Sequence, residues 1–212
     1  KLNQVETGQV LRINVEVDPR AEVHSSASVG SGSRVWALAQ IRELAEVGDH
    51  CTIGRGAYVG AGVKVGANTK IQNFAQIFEP SIIHDGVFIG PNATLTNDTY
   101  PRSITVDGRT KTQSDWNPAV VEVHTGASIG AGAVCVAPLQ IGRWALVGAG
   151  AVVTQDVKAY SMVVGIPARH VGWVGRLGFP LFRAGEVYRC PQSSDTYRQE
   201  RDSLVLIEDT QT

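Results

Sequence analysis

Residues 47–66 read VGDHCTIGRGAYVGAGVKVG, and an aliphatic residue stands at every sixth position of this stretch. Outward from it, the same register of six holds over residues 17–95 and again over residues 123–153. Nineteen of the twenty register positions are Val, Ile or Leu, and the exception is the small, apolar Cys135. The register positions are Val17, Val23, Val29, Val35, Ile41, Val47, Ile53, Val59, Val65, Ile71, Ile77, Ile83, Ile89, Leu95, Val123, Ile129, Cys135, Ile141, Val147 and Val153.

A period of six fits neither an α-helix nor a plain strand, whose periods are about 3.6 and 2. A short strand and a tight turn in every six residues fit it, and three such units close a triangular coil. The residue four positions after each register position is usually small, as at Ala21 and Ala27, and can sit at a corner. The pattern predicts an all-β fold, a left-handed parallel β-helix built as a hexapeptide-repeat solenoid of about seven coils. An ordinary β-sandwich would not keep so strict a register.

The composition excludes several classes of protein. The chain has 212 residues, of which 43% are hydrophobic and 18% charged, with a formal net charge of −1, so it can form a core and has no basic surplus for nucleic acid. No apolar run reaches the ~18 residues of a membrane span. The three cysteines have no C-x-x-C spacing, which favours a reducing compartment and a cytoplasmic location.

The register divides the chain into three parts. Residues 17–174 are predicted to form the β-helix domain, and residues 1–16 an N-terminal cap or a weak first coil. Residues 175–212 are predicted to be an irregular C-terminal tail. Between Leu95 and Val123 the register is interrupted by an insertion, which predicts one long loop at about residues 97–120.

This insertion is the main candidate for function, because loops longer than ~12–15 residues in a compact domain are usually functional or disordered. The alternative is a loop that only braces a neighbouring subunit. Glu79 and Asn97 are one full coil apart in the register, so they should stack about 5 Å apart at one corner. Asn73 and Gln76 add polar groups nearby. Glu79 is a candidate general base or an acceptor for a substrate amine or hydroxyl, with a solvated corner carboxylate as the alternative.

Several segments between residues 23 and 174 carry a family resemblance, and the string from Thr96 to Ser103 narrows it most. The chain resembles the hexapeptide-repeat N-acetyltransferases of nucleotide-linked amino sugars, most closely those that acylate the 3-amino group of UDP- or dTDP-linked sugars. The segments are Arg34-Val35-Trp36, Lys70-Ile71-Gln72-Asn73, Gly86-Val87-Phe88-Ile89-Gly90-Pro91, Thr96-Asn97-Asp98-Thr99-Tyr100-Pro101-Arg102-Ser103, Gly126-Ala127-Ser128-Ile129-Gly130-Ala131, Gly148-Ala149-Gly150-Ala151-Val152-Val153 and Val164-Gly165-Ile166-Pro167-Ala168-Arg169.

The resemblance implies a homotrimer with sites between adjacent subunits, acetyl-CoA as the acyl donor and a nucleotide-linked amino sugar as the acceptor. It implies that Asn97 lies at the sugar site and that a loop arginine contacts the acceptor. The C-terminal coils would line the pantetheine channel, and Arg169 would meet a CoA phosphate. The candidate acceptor residues are Asn73, Gln76, Asn97, Tyr100, Arg102 and Arg109, and the candidate CoA residues are Gly148, Ala149, Gly150 and Arg169.

The sequence departs from the family in three places. After Trp36 it lacks the two histidines that relatives often carry, and it has His84 where they usually have an acid. Some relatives end in a four-cysteine ribbon, of which residues 175–212 look like a degenerate remnant with only Cys190 kept. One thiolate cannot close a tetrahedral zinc site, so no structural zinc is expected.

The implied reaction is attack of a sugar amine on a thioester carbonyl, with backbone N–H groups stabilising the oxyanion. The departing thiolate can take the proton, and His84 is a second candidate for the base. An O-acetyltransferase and a non-catalytic scaffold are the alternatives. A metal enzyme of the γ-carbonic anhydrase type would need a His-x-x-x-x-His pair, which the five histidines do not form, so no metal is expected.

Overall fold

The structure, a computed structural model, describes residues 14–208. They form a parallel β-solenoid of about eight coils, followed by a small antiparallel sheet. The all-β, hexapeptide-repeat fold is thus confirmed, with one coil more than the sequence indicated. Most of the expected cap at residues 1–16 lies outside the described residues, and the first strand begins at Glu16.

Each coil contributes short strands to three flat faces, and the corners between them are tight turns. The strands of the solenoid are β1 (Glu16–Val17), β2 (Glu22–Val23), β3 (Ser28–Val29), β4 (Arg34–Val35), β5 (Gln40–Ile41), β6 (Glu46–Val47), β7 (Thr52–Ile53), β8 (Tyr58–Val59), β9 (Lys64–Val65), β10 (Lys70–Ile71), β11 (Gln76–Ile77), β12 (Ile82–Ile83), β13 (Phe88–Ile89), β14 (Thr94–Leu95), β15 (Val121–Val123), β16 (Ser128–Ile129), β17 (Val134–Cys135), β18 (Leu139–Ile141), β19 (Leu146–Val147), β20 (Val152–Val153), β21 (Ser161–Val164) and β22 (Arg169–Trp173).

The three faces are sheets in which neighbouring strands come from successive coils and run parallel, except that β22 pairs antiparallel with β21 at the end of the first face. The first face runs β1-β4-β7-β10-β13-β16-β19-β21-β22, the second β2-β5-β8-β11-β14-β17-β20, and the third β18-β15-β12-β9-β6-β3. Ile71 pairs with Ile53 in the coil before it and with Ile89 in the coil after it, as a three-strand coil requires. These register side chains are fully buried and form the core of the prism.

The corners explain the frequent glycines. A Cβ built on Gly130 would lie 2.4 Å from the backbone nitrogen of Ala149 in the next coil, so only glycine fits there. At other corner positions the chain adopts positive φ, and Asn68 and Asn92 occupy that conformation at φ 57°. The stacking of coils therefore restricts which residues can occupy the corners, almost as strictly as packing restricts the residues of the core.

The C-terminal region differs from the irregular tail expected after residue 174. Four antiparallel strands follow the last coil, β23 (Phe182–Ala184), β24 (Val187–Arg189), β25 (Thr196–Glu200) and β26 (Ser203–Glu208). Tyr197 and Leu204 of this sheet pack with Tyr160 of the solenoid in a second buried cluster. The side chains of Arg176 and Asp195 form a two-contact ion pair beside it, at 2.9 and 3.1 Å. This sheet therefore packs against the end of the prism.

No helix among residues 14–208 is long and apolar enough to span a membrane. The single helical element there is a short 3₁₀ turn, Gln113–Asp115, in the inserted loop.

Candidate functional site

The insertion leaves the solenoid after β14, at the corner between the second and third faces, and returns at β15. It folds on itself through an isolated bridge between Ile104 and Thr110 and the 3₁₀ turn. The insertion forms one wide, solvent-open cavity of about 710 Å³, which is lined by residues that include Tyr100, Arg102 and Lys111. The predicted loop is therefore present, and it is an ordered structure with cationic and aromatic groups on its own cavity.

Arg109 braces this loop internally. Its guanidinium donates to both carboxylate oxygens of Asp115, at 2.7 and 2.9 Å. That contact, with hydrogen bonds from Thr112, holds the pKa of Asp115 far below its ordinary value. Arg102 differs, because within residues 14–208 its guanidinium forms a hydrogen bond only to the neighbouring backbone oxygen of Pro101, at 2.8 Å, and the residue is exposed. Of the two candidate arginines, Arg102 is the one whose charge is not balanced by a loop carboxylate.

Asn97 and Glu79 stack at one corner as their spacing predicted. The side-chain Nδ2 of Asn97 donates to the backbone oxygen of Glu79 at 2.7 Å, so this amide helps to tie two coils together. Glu79 Oε2 is buried and has no hydrogen-bond partner within the part of the chain that is described. A Cβ built on Gly60 would lie 2.3 Å from this oxygen, so the carboxylate packs over the glycine of the coil below. This placement disfavours Glu79 as a base that a substrate can reach.

The other two acceptor candidates from the coils lie elsewhere on the prism. Asn73 follows β10 on the first face, and its Oδ1 accepts a hydrogen bond from the backbone nitrogen of Arg55 at 2.9 Å. Gln76 begins β11 on the second face and donates weakly to the backbone of Phe74. The structure therefore does not bring Asn73 together with Asn97 within one chain.

A cluster that the sequence analysis missed lies on the third face, just beyond the insertion. His84 follows β12, and Glu122 and His124 lie in and directly after β15, in the next coil. His84 Nε2 and Glu122 Oε1 are 2.8 Å apart, while the rings of His84 and His124 stack with centroids 4.9 Å apart. The side chains of His84 and Glu122 are 41% and 27% exposed, so solvent or a substrate reaches them.

This pair has the chemistry of an oriented base. A carboxylate that binds one ring nitrogen of histidine fixes the ring and leaves the other nitrogen to act on a substrate. The signal was present in the sequence, because Ile83 and Val123 are consecutive register positions of the third face. A His-x-x-x-x-His motif consists of histidines close along the chain, whereas the insertion separates His84 and His124 in sequence.

The residues assigned to CoA lie toward the C-terminal end of the prism. Gly148, Ala149 and Gly150 form the turn after β19, and Gly150 has φ +68° with open space around it. Arg169 lies at the mouth of a separate cavity of about 630 Å³ between the last coil and the C-terminal sheet, which Lys158 and Trp173 also line. Lys158 is paired with Asp202 at 3.0 Å, so Arg169 is the cation of this groove that is better placed for a phosphate-bearing ligand.

The cysteines are not candidates for a nucleophile. All three are buried and free. Burial raises the pKa of the Cys135 thiol to about 12, so this side chain stays protonated at neutral pH.

Comparisons with known proteins identify the repeats. The family described as bacterial transferase hexapeptide (six repeats) matches residues 44–79 and 62–97, and the hexapeptide repeat of succinyl-transferase matches residues 125–155. Serine acetyltransferase of Salmonella typhimurium is 38% identical over 91 residues, which cover 42% of this chain and 32% of that protein. The bifunctional protein GlmU of Thermotoga maritima is 41% identical over 90 residues, 41% of this chain and 18% of that one. The matches thus span a third or less of these relatives.

Among solved structures, LpxA of Bacteroides fragilis, a UDP-N-acetylglucosamine acyltransferase, aligns with a TM-score of 0.60 and 16% identity. The alignment covers 76% of this chain and 61% of that one. At this identity the likeness concerns the solenoid fold alone.

Proposed function

We propose that this chain, whose coils carry hexapeptide repeats of the bacterial transferase type, is an acyl-CoA-dependent N-acyltransferase. The acyl group is acetyl, and the acceptor is the 3-amino group of a dTDP- or UDP-linked amino sugar. The observation that carries the proposal is the ordered insertion beside the coils, with its cavity of about 710 Å³. The part of the proposal that concerns acetyl transfer is also supported by the 38% identity to a serine acetyltransferase over 91 residues.

The loop cavity suits a nucleotide sugar on chemical grounds. Arg102 and Lys111 supply cations for a diphosphate, and Tyr100 and Trp116 supply aromatic faces for a base or sugar. Tyr100 is 83% exposed, so its ring is accessible for such stacking. Arg109 is assigned a supporting role, because its charge is balanced by Asp115.

The CoA donor is assigned to the C-terminal coils and the groove beside Arg169. Arg169 would meet a phosphate of CoA, with Lys158 in a supporting role because Asp202 balances its charge. The turn at residues 148–150 would contact the pantetheine chain through its backbone. Gly150 leaves room there, since no atom lies within 4 Å of a Cβ built on it.

In the proposed reaction the sugar amine attacks the thioester carbonyl, the carbon–sulfur bond breaks, and an amide and CoA thiol result. His84 takes the proton that the amine loses and passes it to the departing thiolate, while Glu122 orients its ring through the 2.8 Å contact. Corner N–H groups stabilise the oxyanion. Glu79 is not assigned to proton transfer, because its unpaired oxygen is buried over Gly60.

Three copies would complete the sites. The corner between the first and second faces carries the exposed apolar side chains of Trp36, Leu38 and Phe74, at 47%, 54% and 47% exposure. Packing this corner against a neighbouring prism would remove that apolar surface from water. Light scattering of the purified chain tests the trimer, and a monomer at micromolar concentration would contradict it.

A second candidate is O-acylation on the same scaffold. The His84–Glu122 pair favours it, because a hydroxyl acceptor needs a base more than an amine does. A thiol-release assay separates the two when matched amino and hydroxy sugars are compared.

The binding assignments are tested by measuring the kinetic constants for the acceptor and for CoA separately in each variant. Arg102→Ala should raise the acceptor KM by about 10–100-fold, or ~1.4–2.7 kcal/mol, with the CoA constants unchanged. Arg169→Ala should weaken CoA and spare the acceptor. Arg183→Ala, an exposed arginine of the C-terminal sheet, is the matched control for charge. Unchanged acceptor constants in Arg102→Ala would show that the loop braces the fold and does not bind.

A further inference from the structure

A metal-binding arrangement is present on the third face. His84, Glu122 and His124 can each offer one ligand atom, and these atoms all lie within 4.8 Å of one another. All three side chains are partly buried, neither sealed in the core nor free in solvent. We propose that these three residues bind a divalent transition-metal ion, and that Zn²⁺ is the ion that their chemistry fits best.

The donor set selects the class of ion. Two imidazoles and one carboxylate suit zinc and its transition-metal neighbours, whereas Mg²⁺ and Ca²⁺ prefer oxygen ligands alone. Three protein ligands leave a tetrahedral ion one position for water or another molecule. The ion would bind His84 and Glu122 in place of their mutual 2.8 Å contact, so the metal-loaded chain could not use His84 as a base. Proton transfer by His84 therefore belongs to the metal-free chain, and the bound ion would inhibit it.

The coils hold the ligands in place. His84 donates its backbone N–H to Val123 at 2.9 Å, and His124 donates its own to Ile141 at 2.9 Å, so both residues are fixed by the strand ladder. Only side-chain rotations are needed to close the site, which lowers the cost of organising it. Asp85, the neighbouring carboxylate, accepts a hydrogen bond from the backbone of Ala67 at 2.8 Å and is not needed as a ligand.

The charges around the cluster permit a cation. On the third face, Glu122 is stacked between Ile82 of the preceding coil and Gln140 of the following coil. Lys64 is stacked on the far side of Ile82, and these residues form one column. Lys64 is two coils from Glu122, or about 10 Å along the stack. No lysine or arginine therefore occupies the positions of this column that flank Glu122.

Equilibrium dialysis of Zn²⁺ against the full chain, without a histidine tag and after removal of metals by a chelator, tests the site. The wild-type chain should bind one ion, and His124→Asn and Glu122→Gln should each weaken binding by ~100-fold or more, beyond the usual effect of an outer-shell change. His24→Asn removes an exposed histidine in the first coil, whose ring contacts Ser26, and should bind as the wild type does. No saturable binding, or equal binding by all four proteins, would overturn the proposal.

A measurement on the wild-type chain covers the case in which a variant does not fold. Zn²⁺ should protect His84 and His124, but not His24, from acylation by diethylpyrocarbonate, as read by mass spectrometry. Mg²⁺ at the same concentration should protect none of them. Equal labelling with and without Zn²⁺, or equal protection by Mg²⁺, would overturn the site. Neither measurement uses an acyl donor, so a failure of the proposed transferase reaction would leave this result unaffected, and the reverse also holds.

Discussion

His84 and His124 stack with ring centroids 4.9 Å apart and ring planes 19° apart, although the whole insertion lies between them in the chain. Their separation in sequence is one coil plus the length of the insertion. Every pairing across this point keeps the same separation, as in Ile83 with Val123 and Ile89 with Ile129. The insertion therefore leaves the solenoid register intact and places Glu122 directly beyond its end.

Removal of the insertion should therefore leave a folded prism. Deleting residues 98–119 gives Ile83 and Val123 the same sequence spacing as the stacked pair Ile53 and Ile71. The deletion variant should keep its cooperative unfolding and bind CoA as the full chain does, but lose acceptor binding. Thermal unfolding and calorimetric titration with both substrates measure this. A variant that fails to fold would show that the loop is part of the structural core.

The corner glycines provide a test of coil stacking. In Gly130→Ala the new Cβ would lie 2.4 Å from Ala149 N, so the next coil must shift, at a cost of ~1–3 kcal/mol or more in unfolding free energy. Gly132 has φ +66° and open space, and Asn92 in the coil below already holds this conformation. Gly132→Asn should therefore change stability by less than ~1 kcal/mol. Similar denaturation midpoints for both variants would contradict this account.

The C-terminal sheet should depend on one ion pair. The side chains of Asp195 and Arg176 are only 5% and 19% exposed, so Asp195→Ala leaves a largely buried charge without this carboxylate, at a cost of ~3–5 kcal/mol. Asp202→Ala removes an exposed partner of Lys158 and should leave the stability nearly unchanged, because solvent screens such pairs. The protection of the β25 and β26 amides from hydrogen exchange measures the effect of each variant on the sheet. Equal protection in the two would show that the aromatic cluster alone holds the sheet.

Proton transfer is tested by comparing the two candidate bases. His84→Asn should lower kcat by ~10²–10⁴-fold, the range of general base contributions. Glu122→Gln should lower kcat less, with the acceptor KM unchanged, because it positions His84 and does not touch substrate. Glu79→Gln is the control and should keep kcat within about 10-fold, because Oε2 of this carboxylate is buried. A full rate in His84→Asn would mean that the departing thiolate takes the proton.

The repeating part of the fold could be predicted from the sequence because every sixth residue meets the same steric demand. Val, Ile and Leu fill the prism at positions such as Ile71, and glycine is required where coils touch, as at Gly130. The position and length of the insertion followed from the break in that register.

The rest depends on contacts that no repeat encodes. The C-terminal sheet was missed because it has no period, and its stability comes from Tyr197 and Leu204 meeting Tyr160 far along the chain. The engagement of Arg109 with Asp115 depends on how the loop folds on itself. The histidine cluster could have been found, had the register of Ile83 and Val123 been carried one residue further.

The most direct test of the proposed function is thiol release from acetyl-CoA by the wild-type chain with three acceptors: a dTDP- or UDP-linked 3-amino sugar, the matched 3-hydroxy sugar and L-serine. We expect release that depends on the amino sugar, with a product whose acetyl group resists hydroxylamine because it is an amide. Release with the hydroxy sugar or serine but not with the amino sugar would contradict N-acylation of a nucleotide-linked amino sugar. Release with none of the three, by a chain shown to bind CoA, would contradict the assignment of acceptor class altogether.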